Sequence, residues 1–323
     1  MRIFSFPHVV IYELMKQFEP VGLITLSLCS KNTYAFVRNC SKIEEDLKIR
    51  GHCHGCDVCL SETVLISVIS KTDGYVDTSD FKACISFQYN FGTYRLCSYW
   101  KDVAQGCRES TNYICDLFKI PVATVSVESG KYLWLLDFAQ RRQEHRLKKV
   151  LEYISSDISA ESYSTILSCN ATETLKCIAT PPQDYRFNGK LPPVKYLTIK
   201  NGFWITLENL LGQDSKLLEI RYSTLKSPDV NVLLRCWLNG GLPRLRYLDL
   251  GIHVDDTIFD GLHNLVETVQ VVLYRKVRNS EMGLVFDSNA YHIRREENVV
   301  ATVSVGMRSF WMVVWPDLNG KCV

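Results

Sequence analysis

Three cysteines and two histidines stand within one run of eight residues, His52-Cys53-His54-Gly55-Cys56-Asp57-Val58-Cys59. Thiolates and imidazole nitrogens are ligands that Zn²⁺ prefers, and the spacing of Cys53, Cys56 and Cys59 could place three thiolates on one ion. His52 or His54 could then supply the fourth ligand. Structural zinc sites usually combine two separate ligand pairs, and no second pair follows in the sequence. We therefore predict no metal site and interpret the run as a cysteine-rich linker, with a zinc-dependent interaction module as the alternative.

Patterns typical of catalysis are missing from the rest of the chain. The sequence contains no G-x-S-x-G, H-E-x-x-H, phosphate-binding loop or G-x-G-x-x-G pattern, and its 7 histidines are dispersed. Catalytic groups can be remote in sequence, so an enzyme with a scattered site stays open as a further alternative. We predict a protein that is not an enzyme and needs no cofactor.

The composition indicates a globular chain whose partners are proteins. The 323 residues include 37 Lys+Arg against 35 Asp+Glu, a formal net charge of +2, and 46% of them are hydrophobic. A near-zero net charge argues against nucleic-acid and anionic-membrane partners, and no apolar run reaches the roughly 18 residues of a membrane span. Pro7 and His8 interrupt the apolar N-terminal run, so we expect no secretion signal. We expect a cytoplasmic or nuclear protein with reduced, mostly buried thiols.

The first forty residues predict three short helices. Ile11, Leu14 and Phe18 are spaced as one apolar helix stripe, and Pro20 ends that helix at the preceding residue. A second apolar segment carries Leu23, Leu26 and Leu28, and Ser30 is a predicted N-cap for a third helix. Three such helices bury too little surface to be secure alone, so they must lean on a partner or on the rest of the chain.

Residues of this segment fall at the characteristic positions of a known motif, the F-box. They are Phe6-Pro7, Leu14, Phe18, Pro20, Leu23, Leu26, Leu28, Cys29, Ser30 and Lys31. The segment resembles an F-box, which docks on the Skp adaptor of SCF-type cullin–RING ubiquitin ligases. The resemblance implies a Skp-type adaptor and, through it, a cullin scaffold as partners. It implies adaptor contacts at Phe6, Pro7, Leu14, Leu23, Leu26, Leu28 and Cys29.

Three positions depart from the F-box pattern. Phe6 replaces the usual Leu, Val9 replaces a common Glu, and Thr33 lies near the place of a missing Trp. The alternative is a three-helix cap that packs only against the chain's own body.

The middle of the chain reads as mixed α/β structure. β-branched and apolar runs predict strands over 64–69, 83–89 and 121–127, and a helix is predicted over 108–118. A further helix is predicted over 138–154, with a basic face that is solvated rather than bound to an acidic partner.

A spaced apolar pattern organises the C-terminal half. Val194–Ile199 has the L-x-x-L-x-L form of a leucine-rich-repeat strand, and similar triplets recur at 218–220, 248–250 and 269–271. Helical patterns lie between them, at 203–211, 229–238 and 256–266. The alternation predicts parallel strands with helices on the other side, in either an irregular leucine-rich-repeat-like domain or an ordinary parallel-sheet α/β domain.

Part of this half resembles a second known family. Residues 232–248 carry a leucine-rich helix, then Trp-Leu-Asn-Gly-Gly, a Pro and a Leu-x-x-Leu strand. This order is similar to the type 2 F-box-associated domain, which follows an F-box in a large nematode family. The two resemblances cover roughly residues 6–40 and 185–260. They predict an α/β chain with an F-box at 3–48, a linker and mixed β-rich segment at 49–180, and a leucine-rich-repeat-like F-box-associated domain at 181–323.

The resemblance implies that the C-terminal domain captures a target protein for ubiquitination. Because the apolar side chains of the strands pack in the core, we expect the exposed side chains of the strands to form the surface that contacts the target protein. This predicted target-binding set is Tyr196, Thr198, Glu219, Arg221, Tyr247 and Asp249.

Overall fold

The structure is a computed structural model that describes residues 7–70, 83–90, 93–253, 255–269, 290–296, 299–306 and 308–316. The chain divides into two units, Met1–Lys149 and Val150–Val323. Each unit contains β-sheet together with helices, so the predicted α/β class is confirmed. Among the described residues, no helix combines the length and the apolar composition needed to cross a membrane.

The first unit begins with three helices, α1 (His8–Met15), α2 (Pro20–Leu28) and α3 (Lys31–Cys40). Pro20 occupies the first position of α2, where its missing N–H costs nothing. Ser30 is the predicted N-cap of α3: its hydroxyl accepts from the Thr33 amide at 3.1 Å, and the Thr33 hydroxyl accepts from the Ser30 amide at 2.9 Å. This reciprocal capping satisfies two amide groups at the helix start.

A six-stranded sheet follows the helices. Its strands are β1 (Leu47–His52), β2 (Gly55–Leu60), β3 (Thr63–Ser70), β4 (Ala83–Asn90), β5 (Thr93–Trp100) and β6 (Val122–Val127). Their spatial order is β6-β1-β2-β3-β5-β4, with β1–β6 and β3–β5 parallel. Helix α4 (Val103–Phe118) packs on β2, β3 and β5, and helix α5 (Trp134–Arg142) packs on β6. The strands predicted over 64–69, 83–89 and 121–127 and the helix predicted over 108–118 are confirmed.

The helix predicted over 138–154 is correct only as far as Arg142 and wrong for the residues after it. Helix α5 ends at Arg142, because the Gln143 side chain turns to the β6 backbone: its amide oxygen accepts from Val122 N–H and its amide nitrogen donates to Val122 C=O, both at 2.8 Å. Residues Leu147–Glu152 then form strand β7. A sheet contact remote in sequence overrides the local helical spacing here.

The second unit is built on one mixed sheet. After β7 come α6 (Ala160–Leu167), β8 (Ala171–Cys177), β9 (Tyr196–Ile199), α7 (Leu207–Leu211), β10 (Leu217–Ile220), α8 (Ser227–Leu238), β11 (Tyr247–Leu250), β12 (Val266–Val269), β13 (Ala290–Glu296), β14 (Val299–Gly306) and β15 (Ser309–Val314). The strand order is β7-β8-β9-β10-β11-β15-β14-β13-β12. Strands β8 to β11 are parallel, and the strands from β15 to β12 continue the sheet in antiparallel pairing.

The predicted repeat is therefore only partly present. The parallel strands at 194–199, 218–220 and 248–250 are confirmed, whereas residues 270 and 271 of the predicted fourth strand lie outside the described residues. The helix predicted over 256–266 is wrong, since two short 3-10 turns, Asp256–Phe259 and His263–Leu265, occupy that stretch. The antiparallel strands follow no repeat pattern, and they make this half a mixed sheet.

One buried carboxylate joins the ends of two strands in this unit. Glu152 accepts hydrogen bonds from the amides of Ile178 at 2.7 Å and Ala179 at 2.8 Å, and also from the amide of Ile154. Burial raises the pKa of Glu152, and these three donors act in the opposite direction. The Glu152 carboxylate therefore accepts hydrogen bonds from three backbone amide groups at the ends of the strands.

Candidate functional site

The cysteine-rich run forms a β-hairpin rather than a linker. Strands β1 and β2 pair antiparallel with Cys53 and His54 in the turn, and Cys53 is exposed while Cys56 and Cys59 are buried. A hydrogen bond with the Cys107 thiol, together with burial, raises the pKa of Cys56, and burial raises the pKa of Cys59 to about 12. The three thiols therefore do not share one environment, since Cys53 faces solvent while Cys56 and Cys59 lie in the core. Across the described ranges, no three His, Cys, Asp or Glu side chains converge as a metal site.

The same hairpin holds a buried ion pair. Asp57 accepts from Arg50 at 2.5 Å and from the Ser67 hydroxyl at 2.7 Å, and His52 Nε2 lies 3.5 Å from its carboxylate. Burial by itself raises the pKa of Asp57, but the hydrogen bonds from His52, Arg50 and Ser67 outweigh it and lower the pKa to about 2. His52 therefore interacts with the Asp57 carboxylate.

Exposed apolar side chains lie on α1, on the connection after it and at the end of α2. We call this set the N-terminal apolar surface; its members are Val9, Val10, Leu14, Phe18 and Leu28. The predicted helix stripe of Ile11, Leu14 and Phe18 is wrong for Phe18, because α1 ends at Met15. Ile11 is buried, whereas Leu14 and Phe18 are exposed. Met15, one turn after Ile11, takes the second inward position of α1, so Leu14 faces outward.

The side chains predicted to contact an adaptor divide by exposure. Pro7, Leu14, Leu28 and Cys29 are exposed, Leu26 is half-buried and Leu23 is buried. Phe6 lies outside the described residues. Leu23 therefore supports the helices from inside, and the exposed side chains are the ones available for contact.

The opposite side of the helices packs against their own unit. The Ser27 and Tyr113 hydroxyls are 2.6 Å apart, and the rings of Tyr34 and Tyr113 are in contact at 5.5 Å between centroids. Val37 of α3 and Ile24 of α2 are fully buried. The helices thus lean on α4 with one side and expose apolar groups on another.

The predicted target-binding residues lie together on one sheet face. Register places Tyr196, Leu217 and Tyr247 in one row across β9, β10 and β11, and Thr198, Glu219 and Asp249 in the next row. Arg221 follows β10 on the same face, because strand side chains alternate with a period of two. We call the six predicted residues the strand-face cluster.

Asp249 is the centre of the strand-face cluster. Its carboxylate pairs with Arg221 at 2.5 Å, accepts from Trp311 Nε1 at 2.8 Å and from the Tyr247 hydroxyl at 3.3 Å. Arg221 also contacts Glu219 at 3.4 Å. Burial raises the pKa of Asp249 to about 6, although Arg221 lowers it.

The expected exposure of two cluster members is wrong. Asp249 is only 2% exposed and Tyr247 only 7%. The reason is strand β15, which pairs with β11 and places Trp311 opposite Asp249 and Val313 opposite Tyr247. The remaining four members, Tyr196, Thr198, Glu219 and Arg221, are half-buried and keep part of their surface in solvent.

A cleft of about 640 Å³ lies at the carboxyl ends of the parallel strands β9, β10 and β11. Its lining includes Lys200, Arg221, Tyr222, His253 and Arg308. Of these, the sequence analysis named only Arg221. The position of the other lining residues in the sequence could have indicated the cleft. Residues that directly follow parallel strands meet at one edge of the sheet, where α/β sheets bind ligands.

The comparisons with known proteins bear on this half of the chain first. Residues 190–250 match the family described as F-box associated. The matched segment runs from the approach to β9 to the end of β11, so it contains the whole strand-face cluster. The similarity to this family is therefore limited to the parallel strands of the second unit.

One curated relative extends the comparison along the chain. The chain is 22% identical to the Skn-1 dependent zygotic transcript 15 protein of Caenorhabditis elegans, over 92% of each of the two proteins. No solved structure matches the chain. The predicted resemblance to nematode F-box-associated proteins is confirmed by these matches.

Proposed function

We propose that the chain is the substrate-recognition subunit of an SCF-type cullin–RING ubiquitin ligase. In this proposal residues 3–48 are the F-box that docks on a Skp-type adaptor, and residues 181–323 bind the target protein, with residues 49–180 between them. The chain itself is non-catalytic and works in the cytoplasm or nucleus. It raises the effective concentration of a target lysine near the conjugating enzyme.

The observation that carries the proposal is the N-terminal apolar surface. Five large apolar side chains stay exposed on α1, on α2 and on the connection between them, while Ile11, Ile24 and Val37 are buried in the three helices. Contiguous exposed apolar side chains mark protein–protein interfaces, and we propose that these five act together in adaptor binding. The members of this surface coincide in part with the positions that an F-box uses, Leu14 and Leu28 among them.

The second half of the proposal rests on the F-box-associated match. That match covers β9, β10 and β11, whose polar face holds the strand-face cluster. A mixture of tyrosine, arginine and carboxylate side chains suits protein recognition. The zinc-dependent alternative has weaker support, since Cys53 is exposed while Cys56 and Cys59 are buried, and the described residues contain no group of three possible metal ligands.

The test compares charge substitutions at two exposed leucines. Leu28 is 45% exposed in α2, and Leu265, which lies in the other unit, is 49% exposed. Leu28→Asp should reduce co-purification with a nematode Skp adaptor at least about tenfold, because an unpaired carboxylate buried in an apolar interface costs several kcal/mol. Leu265→Asp should leave adaptor binding unchanged.

Circular-dichroism melting separates a binding defect from misfolding. Both leucines are exposed, so both variants should melt within a few degrees of the wild type. Full-length chain that co-purifies with no Skp homologue, or a folded Leu28→Asp variant that binds like the wild type, contradicts the proposal.

A further inference from the structure

We propose that the cleft at the carboxyl ends of β9, β10 and β11 binds an anionic segment of the target protein, one that carries clustered carboxylate or phosphorylated side chains. We call it the basic cleft; its lining is Lys200, Arg221, Tyr222, Ser223, Gly251, Ile252, His253 and Arg308. The inference rests on the proposed function, because it names the class of target that the C-terminal unit would recognise.

Strand topology brings the cations of the basic cleft together. Lys200 directly follows β9 and Arg221 directly follows β10, so both stand at the carboxyl edge of parallel neighbours. Arg308 lies between β14 and β15, and the pairing of Leu250 with Phe310 places it beside the end of β11. Three cationic side chains from separate parts of the sequence therefore line one cleft.

Two of the three cations that line the basic cleft, Lys200 and Arg308, form no ion pair with a carboxylate in the described part of the chain. The described lining of the cleft contains no carboxylate residue. Arg221 is committed to Asp249 and Glu219, which lie on the strand face beside it. Lys200 and Arg308 are exposed. These two cations are available for charge-assisted hydrogen bonds with an anion.

The shape of the basic cleft suits a peptide. Tyr222 has φ of +50° and is 66% exposed, so the turn after β10 presents its ring at the surface. At Gly251 an added Cβ would lie 3.1 Å from both Arg221 Cα and Tyr222 N, which shows how closely the chain after β11 runs beside this turn. An exposed tyrosine next to cations is typical of a contact surface for a peptide backbone and its side chains.

The test measures peptide binding to the full-length chain by fluorescence anisotropy. Three labelled peptide pools share degenerate flanking residues and differ at the centre, which holds a glutamate cluster, a phosphoserine or a serine. At least one anionic pool should bind about tenfold or more tightly than the serine pool, and its affinity should fall with added salt. The glutamate and phosphoserine pools distinguish the two sources of negative charge.

The variants assign the binding to the basic cleft. The double variant Lys200→Glu/Arg308→Glu should weaken binding of the preferred pool at least about tenfold, because it reverses the two uncommitted cations. Lys216→Glu is the matched control: Lys216 is also exposed, but it precedes β10 at the opposite edge of the sheet. The control should bind like the wild type. Arg221 is left intact because its loss would leave Asp249 buried without its partner.

Two results overturn the inference: equal binding of all three pools, or equal loss in the double variant and in Lys216→Glu. Adaptor co-purification of the same double variant keeps this test apart from the proposed function. If the adaptor binds normally and the anionic pools show no preference, the basic cleft proposal fails while the adaptor role stands. If the anionic pools bind and the adaptor does not, the proposed function fails alone.

Discussion

The buried carboxylate of Asp249 makes the stability of the second unit depend on pH. Its pKa is about 6 in the folded protein, against an ordinary value of 3.8. The folded state therefore holds this proton more tightly than the unfolded chain does. It follows that the free energy of unfolding decreases as the pH rises from about 4 to about 6. Two pKa units at about 1.4 kcal/mol each give about 3 kcal/mol.

The Asp249→Asn variant removes the ionisation and keeps the shape. Asn can still accept the hydrogen bond from Trp311 Nε1, but it cannot acquire a charge. The difference in free energy of unfolding, variant minus wild type, should therefore rise by about 3 kcal/mol between about pH 3.5 and about pH 7. Urea unfolding followed by tryptophan fluorescence at a series of pH values measures this difference.

Asp214→Asn is the matched control for this measurement. Asp214 is also in the second unit and pairs with Arg244 at 2.7 Å, but both side chains are exposed. An exposed pair contributes about 0–1 kcal/mol, so the same difference should stay nearly constant with pH. If the Asp249→Asn difference is as flat as the control, the carboxylate does not carry a raised pKa and the burial argument is refuted.

Three further predictions concern side chains that form hydrogen bonds within one unit or the other. Asp57→Asn should lower the free energy of unfolding by about 2.5 kcal/mol at neutral pH, because the folded pKa of Asp57, about 2, lies below the ordinary 3.8. This loss should vanish as the pH falls toward 2, and a loss that is unchanged in acid contradicts the prediction. Glu152→Ala should lower the free energy of unfolding, measured in urea, by at least about 3 kcal/mol, since it leaves three amide groups without their acceptor. A loss under about 1 kcal/mol contradicts this prediction. Ser30→Ala should cost about 1 kcal/mol and speed hydrogen exchange at the Thr33 amide, whereas unchanged exchange would show that the cap is dispensable.

Local chemistry explains why parts of the fold were predictable. Ser30 acts within one helical turn of its own position, so its role as an N-cap follows from residue type alone. Pro20 does not end the first helix as predicted: α1 ends at Met15, and Pro20 begins α2. The apolar spacing around Leu197, Leu218 and Leu248 predicts parallel strands, since each strand buries its own alternate side chains. The resemblance to F-box-associated proteins also came from consecutive residues, and the comparisons confirmed it.

Contacts between residues remote in sequence decided the rest. Residues 147–152 have helical spacing, yet they form a strand. Strand alternation predicts that Asp249 and Tyr247 are exposed to solvent. Strand β15, more than sixty residues later in the sequence, pairs with β11 and covers both side chains. The sequence therefore predicted correctly that the members of the strand-face cluster share one sheet face, but it predicted the exposure of Asp249 and Tyr247 wrongly.

The sequence by itself determined local features: the capped third helix near the N-terminus, the spaced parallel strands in the second half and the resemblance to F-box-associated proteins. The tertiary structure decided which side chains remain available. It turned Leu14 and Phe18 outward, buried Asp249, and joined Arg308 to Lys200 in one basic cleft. The physical reason is that periodicity specifies which residues share a face, whereas exposure depends on which distant element packs against that face.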